Sequence, residues 1–259
     1  MVGTELDLTK YCNSFPEVDE KLLIRRPHVL DAIESIFPVN NMVVLEGPDG
    51  IGKSTLAAEY AQLHCKSCIC VFLGGNSRWG HDPELVRQEI CEQLYVYLNG
   101  ATGTLGPFTE SDHRQMLFAL RSRARSPSAR PTFVIDGLAD IPVSKPGSRQ
   151  LITDLLPLDF DRCRFIFTSA DSGTQVFPTA KPMKPYTIAA FSLDEAQRYL
   201  EPVVKDQNHR EELFRLTRGI PSKLASVRRS LSRSPISDEL LLESAKGYPE
   251  LFELVPKPA

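Results

Sequence analysis

The sequence predicts an α/β fold: a five-stranded parallel sheet covered by helices and followed by a small all-helical domain. Short apolar segments typical of buried strands alternate with helical patterns up to about residue 190, and only helical patterns follow. A glycine-rich motif separates the first predicted strand from the helix after it. We therefore expect an α/β domain at residues 1–190, a helical, lid-like domain at 191–250 and a linker at 251–259.

Five segments are predicted strands, because each is short, apolar and bounded by turn or helix signals. They are Val43–Glu46, Ile69–Leu73, Thr132–Asp136, Arg164–Thr168 and Tyr186–Ala189. An acidic residue followed by proline, Asp82-Pro83, predicts the start of a helix between the second and third strands.

The remaining helices follow from periodicity and end signals. A capping box, Ser192-Leu193-Asp194-Glu195, predicts the first helix of the second domain. Gly219 and Gly247 are predicted helix stops. The predicted helical segments are Thr55–Leu63, Ser111–Arg123, Glu211–Thr217, Ser222–Leu231 and Asp238–Lys246.

Residues 47 to 54 match the phosphate-binding pattern G-x-x-x-x-G-K-S. Between a strand and a helix, such a loop turns backbone N–H groups towards phosphate at the positive end of the helix dipole. Lys53 would contact the β- and γ-phosphates, and the Ser54 hydroxyl would bind Mg²⁺. We expect ATP or ADP to bind with Mg²⁺ through Gly47, Pro48, Asp49, Gly50, Ile51, Gly52, Lys53, Ser54 and Thr55.

Two later strands end in polar residues that suit the same site. Asp136 ends an apolar strand, and ligands bind at the carboxyl ends of parallel strands, so it is a candidate for the Walker B acid that holds Mg²⁺ together with Ser54. Thr168 ends another strand, where its hydroxyl could contact the γ-phosphate or the attacking water. We therefore include both Asp136 and Thr168 in the predicted catalytic site.

The composition is that of a soluble globular protein, with 42% hydrophobic and 24% charged residues among 259. A net charge of −3 gives no general attraction to nucleic acid or anionic membrane. There is no apolar run of the ~18 residues that a membrane span needs, and no signal-peptide core. Six cysteines in a chain this long do not indicate a disulfide framework. We expect a cytoplasmic protein without a membrane partner.

Two further features have both a functional and a structural interpretation. Cys65, Cys68 and Cys70 could bind a metal with the histidine beside them, but no second Cys-x-x-Cys pair completes a zinc site. The basic segments Arg121–Arg130 and Lys223–Arg233 could contact nucleic acid or a partner protein. Neither is interleaved with aromatic residues for base stacking, so nucleic acid is not the favoured partner.

Four elements follow one another along the chain: Leu23-Ile24-Arg25-Arg26 with the P-loop after it, Asp136-Gly137-Leu138, Phe167-Thr168-Ser169 and Gly219-Ile220-Pro221. Together they resemble the motifs of the STAND class of signal-transduction NTPases. That class includes NACHT and NB-ARC proteins, some of them in innate immunity, and is related to AAA+ ATPases. The resemblance covers about residues 20–235.

The resemblance implies a nucleotide-controlled switch. The backbone at Arg25 and Arg26 would help to hold the adenine, and Pro221 would pack near it. ADP would lock the two domains together, and exchange for ATP would permit homo-oligomerisation and effector output. The full-length chain would carry sensor and effector domains. The resemblance also implies that the strand of Thr168 lies between the P-loop strand and the strand of Asp136.

Two departures from the family pattern concern hydrolysis. Ala139 and Asp140 occupy places where the family often has two acids, so Asp140 is the only local candidate for the acid that activates water. Ala170 stands where many relatives have an arginine that contacts the γ-phosphate. We therefore expect nucleotide binding with slow ATP hydrolysis at most.

Two alternatives stay open. The segment Glu46–Ser54 also resembles the P-loop of thymidylate kinases, in which the two Walker strands are direct neighbours. Those kinases carry an Asp-Arg-aromatic motif, and the nearest match here, Asp161-Arg162-Cys163, lacks the aromatic residue. A DNA-associated AAA+ ATPase is the other alternative, and it predicts an arginine finger and DNA-stimulated turnover.

Overall fold

A computed structural model describes residues 6–17, 23–74, 82–100, 106–123, 130–141, 146–170 and 182–233. The chain divides into two compact units. Of the described residues, the first unit contains 6–17, 26–46 and those from 53 to 187, and the second contains 23–25, 47–52 and 188–233. The predicted helix Asp238–Lys246, the stop at Gly247 and the linker lie outside the described residues.

The first unit is built on a parallel sheet of five strands, which confirms the predicted fold class. The strands are β1 (Met42–Glu46), β2 (Cys68–Phe72), β3 (Thr132–Asp136), β4 (Arg164–Ser169) and β5 (Lys184–Thr187). Their order is β2-β3-β4-β1-β5, and all neighbouring pairs are parallel. The strand of Thr168 therefore lies between the P-loop strand and the strand of Asp136, as predicted.

Helices surround this sheet, and its central strands are buried on both faces, which explains their nearly continuous apolar sequences. The helices of the unit are α1 (Pro27–Ile36), α2 (Lys53–Leu63), α3 (Pro83–Asn99), α4 (Glu110–Arg123) and α5 (Pro146–Asp154). The main core contains stacked rings, with Phe133 and Phe165 centred 5.4 Å apart and Phe165 and Phe167 6.2 Å apart.

The start of α3 follows the predicted capping rule. Asp82 is the N-cap, its side chain accepts a hydrogen bond from the backbone N–H of Glu84 at 2.9 Å, and Pro83 occupies the first turn. This cap marks the residue at which the connection after β2 ends and α3 begins.

The fifth strand differs from the prediction, because it runs from Lys184 to Thr187 rather than from Tyr186 to Ala189. Pro185 lies inside the observed strand. An edge strand tolerates proline because one side of its backbone needs no partner, and β5 pairs on one side only, with β1.

The second unit contains the helices α6 (Leu193–Leu200), α7 (Gln207–Thr217) and α8 (Pro221–Arg233). The predicted capping box is present: the Glu195 backbone N–H donates to the Ser192 hydroxyl at 3.2 Å, and the Ser192 N–H donates to the Glu195 carboxylate at 2.7 Å. Apolar residues of all three helices form a core of their own, which includes Tyr199, Leu213 and Leu224.

Candidate functional site

The glycine-rich loop Gly47–Gly52 connects β1 directly to α2, which begins at Lys53. Gly50 and Gly52 have φ values of 78° and 97°, which residues with a Cβ rarely adopt. The Ile51 N–H donates to the Pro48 carbonyl at 3.3 Å, and the Ile51 side chain is buried. The strand, turn and helix predicted from the motif are therefore all present.

The predicted ligand contacts of this segment differ in exposure. Pro48, Asp49 and Gly50 are exposed on the loop, and Ser54 and the next residue, Thr55, are exposed in the first turn of α2. The Lys53 side chain is half-buried. Backbone N–H groups in the first turn of a helix have no partner within that helix, so this turn has the chemistry to bind an anion.

Within the second unit, the P-loop contacts the start of α8. The Ser222 backbone N–H donates to the Gly50 carbonyl at 3.0 Å. A Cβ added at Gly50 would lie 2.0 Å from the Ser222 Oγ and 2.7 Å from its Cβ. Sequence reasoning missed this contact, since 172 residues separate the partners (222 − 50) and no local pattern signals the pairing.

The turn before α8 is equally constrained. Gly219 has φ 68°, its carbonyl accepts a hydrogen bond from the Phe191 N–H at 2.9 Å, and a Cβ there would lie 2.5 Å from the Phe191 carbonyl oxygen. Pro221 is the first residue of α8, a position that suits its missing N–H. The break between α7 and α8 predicted from Gly219 and Pro221 is present, and Arg218 ends α7 in a left-handed conformation.

Asp136 and Thr168 form a bonded pair at the carboxyl ends of β3 and β4. The Thr168 hydroxyl donates to Asp136 Oδ1 at 2.7 Å and accepts from the Gly137 N–H at 2.9 Å. Both side chains are buried, with 5% and 3% exposure. The single hydroxyl proton of Thr168 thus helps to orient the candidate metal-binding carboxylate, and the contact of Thr168 with phosphate or water stays a prediction.

Glu46, the last residue of β1, is a buried acid beside the P-loop. The residue is 8% exposed, and no donor among the described residues bonds to its buried Oε1 atom. Burial raises the pKa of its carboxyl group. Leaving a buried acceptor unsatisfied costs about 1–3 kcal/mol, so such a group calls for a functional or structural reason. Glu46 has the same sequence signal as Asp136, because each is an acidic residue at the end of an apolar strand.

The other predicted site residues occupy separate places. Arg26 is buried and precedes α1, where its carbonyl accepts from the Val29 N–H at 2.9 Å, and Arg25 is exposed. Asp140 ends a 3₁₀ turn, Leu138–Asp140, that follows the Asp136 strand. Ala170 follows β4 directly. Oxygen ligands suit Mg²⁺, so Ser54 and Asp136 have the right donor chemistry for that ion.

Two of the three cysteines near residue 68 belong to an edge strand of the sheet, and Cys65 lies in the turn before it. Cys68 and Cys70 lie in β2 and are buried. The side-chain amide of Gln93 bonds to both the N–H and the carbonyl of Cys70, each at 2.8 Å, and Cys12 Sγ also lies 3.2 Å from that carbonyl. Over the described residues, no cluster of three or more histidine, cysteine or acidic side chains could hold a metal ion.

Several basic residues of the two basic segments have partners within the chain. Arg121 forms a bidentate pair with Asp159 at 2.7 and 2.9 Å. Arg123 donates to the Leu98 carbonyl at 2.6 Å, and Arg228 donates to the Tyr199 carbonyl at 2.9 Å. These contacts give the three arginines structural roles.

In the part of the chain that the structure describes, no helix is both long and apolar enough to cross a bilayer.

Comparison with solved structures shows that this fold resembles a known one. It is similar to a Walker-type ATPase of Pyrococcus abyssi, with a TM-score of 0.61 and 16% identity over 92% of this chain and 77% of the other. Similarity at this identity shows the fold alone. No protein-family profile and no curated protein sequence matches the chain.

Two weaker similarities carry no argument about function. One is to a STAND protein with a tetratricopeptide repeat sensor from Pyrococcus horikoshii, with a TM-score of 0.48 and 17% identity over 82% of this chain and 30% of that chain. The other is to the RuvB Holliday junction branch migration motor of Thermotoga maritima, with a TM-score of 0.43 and 16% identity over 86% of this chain and 70% of that chain.

The sheet, the glycine-rich loop between β1 and α2, and the acid that ends β3 define the fold of a P-loop NTPase.

Proposed function

We propose that this chain is the ATP- or ADP-binding regulatory module of a STAND-type signal-transduction NTPase. The observation that carries the proposal is the hydrogen bond between the Ser222 N–H and the Gly50 carbonyl. It joins the P-loop to the helical region that would act as a lid. A change in the loop when nucleotide binds or exchanges would therefore act directly on the start of α8.

Nucleotide binding is the first part of the proposal. The loop Gly47–Gly52 would surround the phosphates with backbone N–H groups, Lys53 would supply the positive charge, and Ser54 with Asp136 would hold Mg²⁺. Magnesium would neutralise charge on the β- and γ-phosphates. The Asp136–Thr168 hydrogen bond supports this assignment, because it holds the buried carboxylate in one orientation.

Switching is the second part. With residues 1–190 as the nucleotide-binding domain and 191–250 as the lid, ADP would favour a closed state in which Pro221 packs against the adenine and the backbone at Arg25 and Arg26 supports it. ATP would favour an open state that oligomerises. A nucleotide that prefers one state about 10⁴-fold would carry the equilibrium from off to on. Sensor and effector domains elsewhere in the full-length chain would supply input and output.

Hydrogen exchange at the Ser222 amide tests the proposed switch where the P-loop contacts the start of α8. An N–H in the first turn of a helix has no partner within the helix, so protection of this amide reports the bond to Gly50. We expect the Ser222 amide to be protected with ADP and at least ~10-fold less protected with a non-hydrolysable ATP analogue, a coupling of about 1.4 kcal/mol. The Leu224 amide, which bonds to Ile220, is the internal control. Equal protection with both nucleotides would contradict the switch.

An ADP-bound crystal structure tests the lid contact. We expect heavy atoms of Pro221 within about 4.5 Å of the adenine, which is the range of direct packing. A distance above ~10 Å in a closed form would make the turn at Gly219 a plain connection between helices, with no part in nucleotide binding.

Of the two alternatives, the kinase is disfavoured by the strand order, because β4 separates the two Walker strands. A phosphotransfer assay with thymidine monophosphate checks this directly. The DNA-associated AAA+ ATPase stays the second candidate and predicts DNA binding that weakens steeply with salt. DNA titration at several salt concentrations would distinguish it from the proposed switch.

A further inference from the structure

Glu46 has the burial and position of a group that serves a ligand. It ends β1, its peptide neighbour is Gly47 of the P-loop, and it is 8% exposed. One of its carboxylate oxygens, Oε1, is buried and accepts no hydrogen bond from the described part of the chain. In native proteins such an atom usually has a partner, which can be the chain itself, an ordered water or a ligand.

The sheet places Glu46 on one face and the candidate metal-binding group on the other. Side chains alternate along a strand, so Glu46 shares the face of Val44, which belongs to the main core with Phe167. Ser169, its register partner on β4, follows Phe167 by two residues and lies on that face too. By the same alternation, Asp136 and Thr168 lie on the opposite face.

In phosphoryl transfer, the attacking and leaving oxygens lie roughly in line on opposite sides of the phosphorus. Hydrolysis also uses a side chain that accepts a proton from the attacking water, and this side chain must be one that the metal does not occupy. Asp136 is needed for the metal, and the Thr168 hydroxyl already donates its proton to Asp136.

We propose that Glu46 is the catalytic base for ATP hydrolysis in this chain. This rests on the proposed function, and it assigns to Glu46 the role that the family resemblance gives to an acid after the Asp136 strand. The water oxygen forms a bond to the γ-phosphorus while the bond from that phosphorus to the β–γ bridging oxygen breaks. One proton of the water passes to Glu46, and the bridging oxygen leaves as a β-phosphate oxygen of ADP. Glu46 then returns the proton to solvent.

The carboxylate environment supports this role. Burial raises the pKa of Glu46, which makes the ionised group a better proton acceptor. A purely structural glutamate at this place would be expected to pair with a donor. Glu89, also buried, does so by accepting from the Ser14 N–H at 2.7 Å and the Ser14 hydroxyl at 2.8 Å.

Single-turnover ATP hydrolysis by Glu46→Gln, with ATP affinity measured in parallel, tests the proposal. Glutamine keeps the size of the side chain but cannot accept the proton. We expect hydrolysis to fall at least ~100-fold, in the range for loss of a general base, while ATP affinity stays within about 3-fold. Glu89→Gln, a buried glutamate elsewhere, is the matched control and should hydrolyse ATP at the wild-type rate. If Glu46→Gln does not fold, Glu46→Asp, which withdraws the carboxylate by one methylene, should bind ATP and hydrolyse it more slowly.

The results separate this proposal from the proposed function. Tight ATP binding by the wild-type chain keeps the proposed function whatever the hydrolysis rates show. Each of three results would overturn the role of Glu46. The first is ATP hydrolysis at the wild-type rate in Glu46→Gln. The others are loss of hydrolysis in Asp140→Asn but not in Glu46→Gln, and no measurable hydrolysis by the wild-type chain. Failure of the wild-type chain to bind ATP would overturn both proposals.

Discussion

The Thr168 hydroxyl donates a hydrogen bond to Asp136 Oδ1 across neighbouring strands, at 2.7 Å, and accepts one from the Gly137 N–H. The two side chains are buried, so neither can exchange this partner for water at low cost. The hydroxyl at the end of β4 therefore helps to orient the acid at the end of β3.

Thr168→Val should destabilise the first unit, because it removes the hydrogen bond to Asp136 Oδ1 and the hydroxyl that accepts from the Gly137 N–H. We expect a loss of about 1–3 kcal/mol in the free energy of unfolding, measured with chemical denaturant. Thr153→Val is the control, since that hydroxyl donates to the Arg149 carbonyl within the same helix, and it should cost about 1 kcal/mol. Equal losses in the two variants would count against the special role of the Thr168 pair.

Asp136→Ala should weaken nucleotide binding in the presence of Mg²⁺ more than in its absence. The reason is that this carboxylate is expected to hold the shell of the ion that bridges the phosphates. Titration of ADP with Mg²⁺ and with a chelator compares the two conditions. Equal loss of affinity in both conditions would show that Asp136 does not bind the metal ion.

The contact between the P-loop and α8 predicts different effects for two neighbouring glycines. Gly50→Ala and Gly52→Ala both place a Cβ at positive φ, but only the Cβ at Gly50 meets Ser222, while nothing lies within 4 Å at Gly52. We expect Gly50→Ala to lower the free energy of unfolding by at least ~1 kcal/mol more than Gly52→Ala does. In a chain of this size, the thermal midpoint of Gly50→Ala should then be about 2–4 °C lower than that of Gly52→Ala.

Adding Ser222→Gly to Gly50→Ala removes the side-chain atoms that would clash. The double variant should therefore regain most of the difference between Gly50→Ala and Gly52→Ala. Strictly additive losses from Gly50→Ala and Ser222→Gly would mean that the two residues do not touch in solution.

Turnover should be slow. Ala139 and Ala170 occupy positions where the STAND motifs that the sequence resembles often have an acid and an arginine, and an arginine at a phosphoryl-transfer site is worth roughly 10³–10⁵ in rate. Without an arginine from another chain, we expect fewer than about one ATP hydrolysed per minute, which phosphate release by the purified chain would measure. Several turnovers per second by a monomer would show that the site is complete and that this interpretation of Ala139 and Ala170 is wrong.

Local signals in the sequence predicted local features of the fold. The motif from Gly47 to Ser54 predicted a strand, a turn and a helix start, and Asp82 and Ser192 predicted caps that the structure contains. Each depends on residues within a few positions of one another. The position of β4 between β1 and β3 came from the family resemblance, because hydrophobic patterns do not encode strand order.

Features that depend on tertiary packing were not predicted. The bond from Ser222 to Gly50 joins residues that share no pattern. The hydrogen bond from Thr168 to Asp136 depends on which side chains lie next to each other on neighbouring strands, and the predicted contact of Thr168 with the ligand stays a prediction. The bounds of β5 differ from the prediction because a proline inside a strand is tolerated only where the strand lies at an edge of the sheet.

Calorimetric titration of the wild-type chain and Lys53→Ala with ADP and with a non-hydrolysable ATP analogue, both with Mg²⁺, tests the central claim most directly. Lys53 is the lysine of the phosphate loop, so its loss should lower affinity at least ~10-fold, about 1.4 kcal/mol, with the fold preserved. Lys205→Ala removes an exposed lysine in the other unit and should bind as the wild type does. Unchanged affinity in a folded Lys53→Ala protein, or no binding by the wild-type chain, would contradict a nucleotide site at the P-loop.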